Sequence, residues 1–376
     1  MKKLVKYLWK WLVVLVTTYT FISVISSFIP PKFFWGLFFL SYSVPFVVGI
    51  NLAVLLLYFL FKKHFWIIAI STAFSIFGIS NNWSWKSDVN DGTANYSLMT
   101  YNVRVFDLYN WLDRKTWDTW EARTDNGATL DSLYSTILES DADFLCIQEF
   151  INQKKGVYQS EKYLKKQGYK YAHLTYAFEQ NVNQFGIATF SKYPIVRKEV
   201  RYFKEISLNT GIQITDVKIP GDTLRIINVH MQSFKLGKSD FEHLNTLSDS
   251  TLQKIDSKPT KDLLKKIKLA FIKRSEQLDE LLSLIDESSH PVLLCGDFNE
   301  LPNSYLYRAL SDRLKDGFQE VGKGFGKTLV SNIPALRIDY VFHSSSIKAI
   351  SHNVVQRKLS DHYPIIFEFK KGKSNY

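Results

Sequence analysis

The first 86 residues contain neither Asp nor Glu. Their charge is carried by Lys2, Lys3, Lys6, Lys10, Lys32, Lys62, Lys63 and Lys86, eight of the 47 Lys and Arg in the 376-residue chain. The other 39 face 36 Asp and Glu, so a formal charge of +11 falls to +3 over the rest of the chain. That distribution removes overall charge as an argument for nucleic-acid binding and makes it a property of the N-terminal segment, where it bears on membrane insertion. Cysteine is scarce too. Cys146 and Cys295 are the only two, each inside an apolar run that reads as a buried strand, which excludes a disulfide framework and leaves two core thiols.

Long apolar runs, in contrast, are present at the N-terminus. Leu8 to Ile29 is uncharged apart from Lys10, Phe33 to Phe61 is a longer uncharged run, and Phe65 to Ile79 is a shorter one. Crossing about 30 Å of hydrocarbon at 1.5 Å per residue takes about 20 apolar residues. The first two runs suffice. The third does so only if it continues through Ser80 to Trp85, with Trp83 and Trp85 at headgroup level. We therefore expect a multi-pass membrane anchor of three spans over residues 1–86. Lys2, Lys3, Lys6 and Lys10 precede span one, and Lys62, Lys63 and His64 separate spans two and three. Positive residues stay on the cytoplasmic side, so three spans deliver the C-terminal domain outside the cytoplasm, whereas a re-entrant third segment leaves it inside. A cleaved signal peptide is disfavoured by the second long run and by the lack of an Ala-x-Ala site after the first.

Residues 87–94 read as a polar linker, and a domain follows over 95–376. Strand-like runs are predicted at Ser97 to Val105, Ala142 to Gln148, Gly186 to Ser191, Leu224 to His230, Val292 to Cys295, Arg337 to His343 and Tyr363 to Phe369. Helical spacing is found at Leu130 to Ser140 and from about Leu263 to Ile285. Many strands with few intervening helices predict an α/β fold of two packed sheets flanked by helices, not a doubly wound parallel sheet. Residues 234–261 look like a basic insertion, with ten basic and five acidic residues between Lys235 and Arg274.

Several polar residues stand at the ends of these strands. Glu149 terminates the apolar run from Asp143, and a lone strand-end carboxylate suits a magnesium ion, which keeps most of its waters. In Gly296-Asp297-Phe298-Asn299 the glycine permits a sharp turn, and Asp297 and Asn299 point the same way, an acid beside an amide able to hold an attacking water. Asp361 and His362 open the last strand and Asp339 lies on the preceding one. A histidine at a reacting phosphate needs a carboxylate on its far nitrogen, and Asp339 is the natural candidate. Asn102 ends the first strand and His230 another. Hydrolysis of a phosphate ester requires this set: carboxylates for a hard cation, a group to orient water and donors for the developing charge.

In chain order, Asn102, Glu149, Gly186 to Pro194, Asn228 to His230, Gly296 to Asn299, Arg337 to Tyr340 and Ser360 to His362 resemble the endonuclease/exonuclease/phosphatase superfamily over essentially the whole soluble part. The resemblance implies a four-layer α/β sandwich, with Mg²⁺ or Mn²⁺ bound where the sheets meet. It implies Glu149 as the main metal ligand, Asn102 alongside it and Asp361 close by. Asp297 would orient or activate water, Asn299 would contact phosphate, and His362 with Asp339 would bind the scissile phosphate or move a proton. His230 matches a histidine that acts as a phosphate contact or general acid in the deoxyribonuclease-like and sphingomyelinase-like branches. Arg104 stands where abasic-site endonucleases carry an acid, and His230 where they have tyrosine, which argues against that branch.

The expected activity is hydrolysis of a phosphate-ester substrate by an enzyme anchored in the lipid bilayer. A membrane-tethered nuclease is the alternative, and it requires Lys154, Lys155, Lys162, Lys165 and Lys166 to cluster into a phosphate-binding stripe. A third reading, a catalytically silent interaction module, conflicts with the presence of every polar site position.

Overall fold

The computed structural model describes residues 2–61, 64–86, 94–109, 128–180, 182–202, 210–235, 239–240, 243, 258–331 and 335–371. The linker 87–93, Lys62, Lys63 and most of the basic stretch 234–261 lie outside the described residues. Two compact units are present, one comprising Met1–Trp83 with Glu300–Asp312 and the other Ser84–Asn299 with Arg313–Tyr376.

The first unit is built on three helices, α1 (Lys2–Ser26), α2 (Phe38–Phe61) and α3 (Phe65–Gly78). At 25 and 24 residues, α1 and α2 are each about 36 Å long, enough to cross a bilayer core. The sequence required helix as far as Trp85 for a third full span, and α3 instead stops after 14 residues, about 21 Å. Ser80, Asn81 and Asn82 follow in a 3-10 turn, and Ser84–Trp85 then leaves as a short strand, because polar side chains replace the apolar run.

This unit buries polar side chains beside an apolar cluster of Trp9, Val13, Val16, Val54 and Ile68, and its outside is apolar. Thr20, Ser23, Asn51, Ser71 and Ser75 are buried, while Leu15, Phe46, Leu56, Leu60 and Trp66 each expose two-thirds or more of their surface. Asn51 Nδ2 donates to Thr20 Oγ1 at 2.8 Å and Asn51 Oδ1 accepts from Ser71 Oγ at 2.6 Å, tying the three helices together.

The second unit is built on two six-stranded mixed sheets flanked by helices, with a separate two-stranded sheet formed by Ser84–Trp85 and Lys323–Gly324. Its strands are β1 (Ser84–Trp85), β2 (Tyr96–Asn102), β3 (Phe144–Gln153), β4 (Tyr171–Gln180), β5 (Asn183–Ser191), β6 (Ile195–Arg201), β7 (Gly211–Ile219), β8 (Asp222–His230), β9 (Val292–Asp297), β10 (Lys315–Asp316), β11 (Lys323–Gly324), β12 (Asp339–His343), β13 (Ile347–Val354) and β14 (Ile365–Lys371). One sheet runs β13-β14-β2-β3-β5-β4 and the other β10-β12-β9-β8-β7-β6. Within each, a single neighbouring pair is parallel, β2 with β3 and β8 with β9.

Alternation along each strand assigns the faces. Leu98, Phe144 and Cys146 meet Leu224, Ile226, Leu293 and Cys295 between the sheets, whereas Met99, Leu145 and Ile147 turn outward onto Leu133 and Ile137 of the helix Ala128–Glu139. Both cysteines are fully buried and free. On the other sheet, the helix Lys258–Asp286 holds Gln232 just beyond β8, through Gln277 Oε1 at 3.0 Å and Arg274 at 2.6 Å.

Candidate active site

Strand register assembles the acidic half of the site. Asp297, the last residue of β9, is paired with His230 at the end of β8 on one side and with Asp339 at the start of β12 on the other. Directly opposed residues project to the same face, so three functional side chains converge without long loops. Gly296 makes this possible. Its φ is +136°, and a β-carbon there would stand 2.0 Å from the Val229 carbonyl oxygen, so only glycine lets β9 lie this close to β8.

The second sheet contributes the ends of β2 and β3. The register of β3 against β5 shifts between Ile147 and Phe150, and within that bulge Glu149 adopts a left-handed conformation, φ +50°. A bulge re-aims the side chain that follows it. Glu149 is thereby turned to the strand ends, where Asn102 Nδ2 donates to Glu149 Oε1 at 3.3 Å and to Asp297 Oδ2 at 3.1 Å, one amide bridging carboxylates from both sheets. The Asn102 Oδ1 accepts the backbone N–H of Arg104 at 3.1 Å, and its carbonyl accepts Ser360 Oγ at 2.8 Å.

Two imidazoles face the same carboxylate oxygen. His230 Nε2 is 3.6 Å from Asp297 Oδ2 and 3.8 Å from Glu149 Oε1, and His362 Nε2 is 3.7 Å from Asp297 Oδ2. His362 Nδ1 donates to Asp339, 2.9 and 3.1 Å from its two oxygens. Burial works against a charged His362, but the carboxylates of Asp339, Asp297 and Asp361 overcome it and hold the imidazole pKa well above its ordinary value. Burial also raises the Asp297 carboxyl, with His362 and His230 opposing and Asp339 reinforcing. Asp297 is itself oriented by the Asn299 backbone N–H on Oδ1 at 2.9 Å, and Asn299 Nδ2 is held by the Met231 carbonyl at 3.1 Å.

Two carboxylates remain open to solvent, Glu149 with 27% of its side chain exposed and Asp361 with 34%. Burial raises the Glu149 carboxyl and the negative charge of Asp361 raises it further, while His230, His362 and Asn102 oppose. A pair of half-open carboxylates that repel one another fits a hard cation, which takes one or two carboxylates and keeps its waters. Asp297, Asp339 and His362 also bring one ligand atom each within 4.8 Å of one another. In that group Asp339 and His362 already engage each other, whereas Glu149 and Asp361 are the more solvent-open carboxylates.

All eight residues singled out in the sequence, Asn102, Glu149, His230, Asp297, Asn299, Asp339, Asp361 and His362, lie at this end of the two sheets. The sequence reading did not single out Gln148, whose Nε2 donates to Asn228 Oδ1 at 2.7 Å and so links the sheets below the site. Its signal was the alternation that points Phe144 and Cys146 between the sheets. Thr328 positions Asp339, its Oγ1 accepting the Ile338 and Asp339 amides at 3.0 and 3.1 Å. Arg104 reaches Asp361 at 3.6 Å.

Comparison with known proteins bears on the same elements. The family model described as Endonuclease/Exonuclease/phosphatase family matches residues 99–225 and 269–362, more than half of the chain. No curated protein matches. Among solved structures, an endonuclease/exonuclease/phosphatase from Beutenbergia cavernae DSM 12333 is 18% identical, covers 74% of this chain and 72% of its own, and has a TM-score of 0.49. The human Nocturnin catalytic domain with bound sulfate anion is 16% identical, covering 76% and 97% at a TM-score of 0.49. Sphingomyelinase C from Streptomyces griseocarneus is 18% identical, covering 73% and 99% at 0.48. The extent of the family match, which takes in Asn102, Glu149, Asp297, Asp339 and His362, establishes that this chain belongs to the endonuclease/exonuclease/phosphatase family.

Proposed function

We propose that the chain is a membrane-anchored phosphoesterase that hydrolyses a phosphate ester with a divalent cation, Mg²⁺ or Mn²⁺. The observation that carries this reading is the convergence of His230 Nε2 and His362 Nε2 on one oxygen of Asp297, at 3.6 and 3.7 Å. Glu149 and Asp361 would hold the cation, with Asn102 beside them. The cation supplies a Lewis acid that neutralises phosphoryl oxygens. Asp297, fixed by the Asn299 amide, orients the attacking water and accepts its proton. His362, kept cationic by Asp339, hydrogen-bonds a phosphoryl oxygen, and His230 contacts the phosphate or protonates the leaving oxygen. Asn299 would contact the phosphate.

The anchor reading rests on the apolar exterior of the helical unit, which its buried cluster around Val13 and Val54 leaves uncovered. A soluble bundle hides its apolar side chains, whereas here Asn51, Thr20 and Ser71 are inside and Leu15, Phe46, Leu56 and Leu60 outside, as expected of helices in lipid. The helix α3 alone rises about 21 Å and reaches about 27 Å only with the polar 3-10 turn at Ser80–Asn82; a third crossing would put the catalytic unit outside the cytoplasm, and two crossings would leave it inside.

A nuclease activity is the second reading. Lys154, Lys162, Lys165 and Lys166 line one cleft of about 670 Å³ with Asn152 and Gln184, the clustering that phosphate tracking requires. Lys154 is paired with Glu179 at 3.1 Å and Lys165 with Glu161 at 2.7 Å, which halves the charge available to a polyanion. The test is hydrolysis by the full chain in detergent, after chelation and after return of Mg²⁺, Mn²⁺ or Ca²⁺, across DNA, RNA, phospholipids and phosphomonoesters. Absence of turnover on every class refutes the enzyme reading. Cleavage confined to nucleic acid, falling steeply with salt, selects the nuclease.

A further inference from the structure

The segment Glu300–Asp312 follows Asn299 directly in the chain but belongs to the compact unit of the three helices. Its attachments are specific. The buried Glu300 carboxylate accepts Tyr42 Oη at 3.0 Å, Asn303 Nδ2 donates to the Ser41 carbonyl at 3.3 Å, and the Arg308 guanidinium lies 3.4 Å over the Phe28 ring. Between this segment and the ends of α1 and α3 is a cavity of about 230 Å³, lined by Val24, Ser27, Asn81, Asn303, Arg308 and Asp312 among others.

Two features of the lining define what the cavity accepts. Asn303 is 5% exposed, and with Nδ2 engaged by Ser41 its Oδ1 is buried without a hydrogen-bond partner among the described residues. A bare buried amide oxygen costs about 1–3 kcal/mol, so this position asks for an N–H or O–H donor from an occupant. Arg308, its guanidinium over the Phe28 ring, carries a planar array of donors suited to phosphate oxygens, and Asp312 stands one turn further along the chain. An occupant must therefore carry a phosphate and, a few bonds away, a cationic or hydroxylic donor. The volume is below the roughly 300–1,000 Å³ of pockets for drug-sized ligands, which suits a headgroup and leaves acyl chains outside. Antiparallel packing places the C-terminal ends of α1 and α3 and the N-terminal end of α2 at one level, the level of lipid headgroups if the helices cross a bilayer.

We propose that this cavity is a binding site for a phosphoethanolamine headgroup of a membrane phospholipid, with the phosphate on Arg308 and the ammonium on Asn303 Oδ1 and Asp312. The proposal rests on the membrane reading of the helical unit and is independent of the catalytic site.

The experiment is native mass spectrometry of the delipidated full chain in detergent, titrated with phosphatidylethanolamine or with phosphatidylcholine, whose trimethylated nitrogen has no N–H. One phosphatidylethanolamine should bind at least tenfold more tightly than phosphatidylcholine, and Arg308→Gln should weaken it at least tenfold, with Arg308→Lys intermediate. Equal binding of the two lipids, or unchanged binding in Arg308→Gln, overturns the site. If Arg308→Gln does not fold, the comparison of the two lipids on the unaltered chain decides. Glycerophosphoethanolamine, the free headgroup, should compete only at far higher concentration than the lipid. Competition at equal concentration overturns the lipid source. Alkaline carbonate extraction separates this proposal from the membrane reading, because a chain that resists extraction yet ignores the headgroup loses the site alone, and a chain that is extracted loses the anchor.

Discussion

His362 Nδ1 sits 2.9 Å from one oxygen of Asp339 and 3.1 Å from the other, leaving Nε2 directed at Asp297. Asp339 is not shared with the neighbouring arginine, since Arg337 Nη1 donates to Asp316 at 2.7 Å. Asp339 and His362 are thus a closed pair in which the carboxylate fixes the tautomer, the orientation and the charge of the imidazole.

Groups that act as one unit lose their function together. Asp339→Asn and His362→Ala should each lower kcat/KM by about a hundredfold or more, and the double variant should be little worse than the poorer single. A double-mutant cycle on the preferred substrate measures this. A double variant that loses the product of the two single effects would remove the pair from the mechanism and leave Glu149 and Asp297 untouched.

Glu149 bears on the cation. Because it lies in a bulge at a half-open position, Glu149→Gln should leave the fold intact while abolishing turnover and the thermal stabilisation given by Mg²⁺ or Mn²⁺. At a hundred times its Kd, a bound ion stabilises by about 2.7 kcal/mol. Thermal unfolding of both proteins with and without metal tests the point, and a variant that keeps its metal-dependent shift shows that other ligands hold the ion.

Acid sensitivity should come from two histidines away from the site. Burial pushes His173 and His352 down to about 4, with Lys198 adding to the effect at His173. Their unfolded value is about 6.5, so between 6.5 and 4 the unfolded chain binds protons that the folded chain refuses, and stability falls as pH falls. Each contributes roughly 1.4 kcal/mol per pH unit across that window. Among the described residues neither ring nitrogen of His352 has a hydrogen-bond partner, and its ring packs edge-on against Phe318 and Phe367. His352→Leu should be tolerated at pH 7 and should flatten the loss of stability from pH 6.5 to 4, read by near-ultraviolet dichroism during thermal unfolding. An unchanged acid slope contradicts the assignment.

Topology has its own readout. Three crossings put His64 and Ser87 on opposite faces, so single cysteines at these positions, in a chain whose native Cys146 and Cys295 are buried, should label from opposite sides of intact cells. Labelling from the same side would make α3 re-entrant and the enzyme cytoplasmic.

The sequence alone marked the candidate residues for the chemistry and the apolar segments proposed for lipid, because both are written locally. An apolar strand that stops at Glu149 or at Asp297, and a run of apolar residues without a carboxylate, are legible from composition and spacing. The order of the strand-end motifs then identified the two-sheet family. Strands β4, β6, β7 and β13 were not marked; the half-exposed β6, Ile195–Arg201, lacks a clean apolar run, and the buried β7 interleaves polar residues such as Gln213, Thr215 and Asp216. The first strand was expected to reach Val105, but it ends at Asn102, after which Arg104 to Asp107 take left-handed conformations that no propensity foretells. Only the tertiary structure decided that Asp297 stands between His230 and Asp339, that Asn102 bridges carboxylates of two sheets, and that residues 300–312 join the helices. Those relationships depend on register and on packing between residues some 40 to 260 positions apart, and distance along the chain carries no information about them.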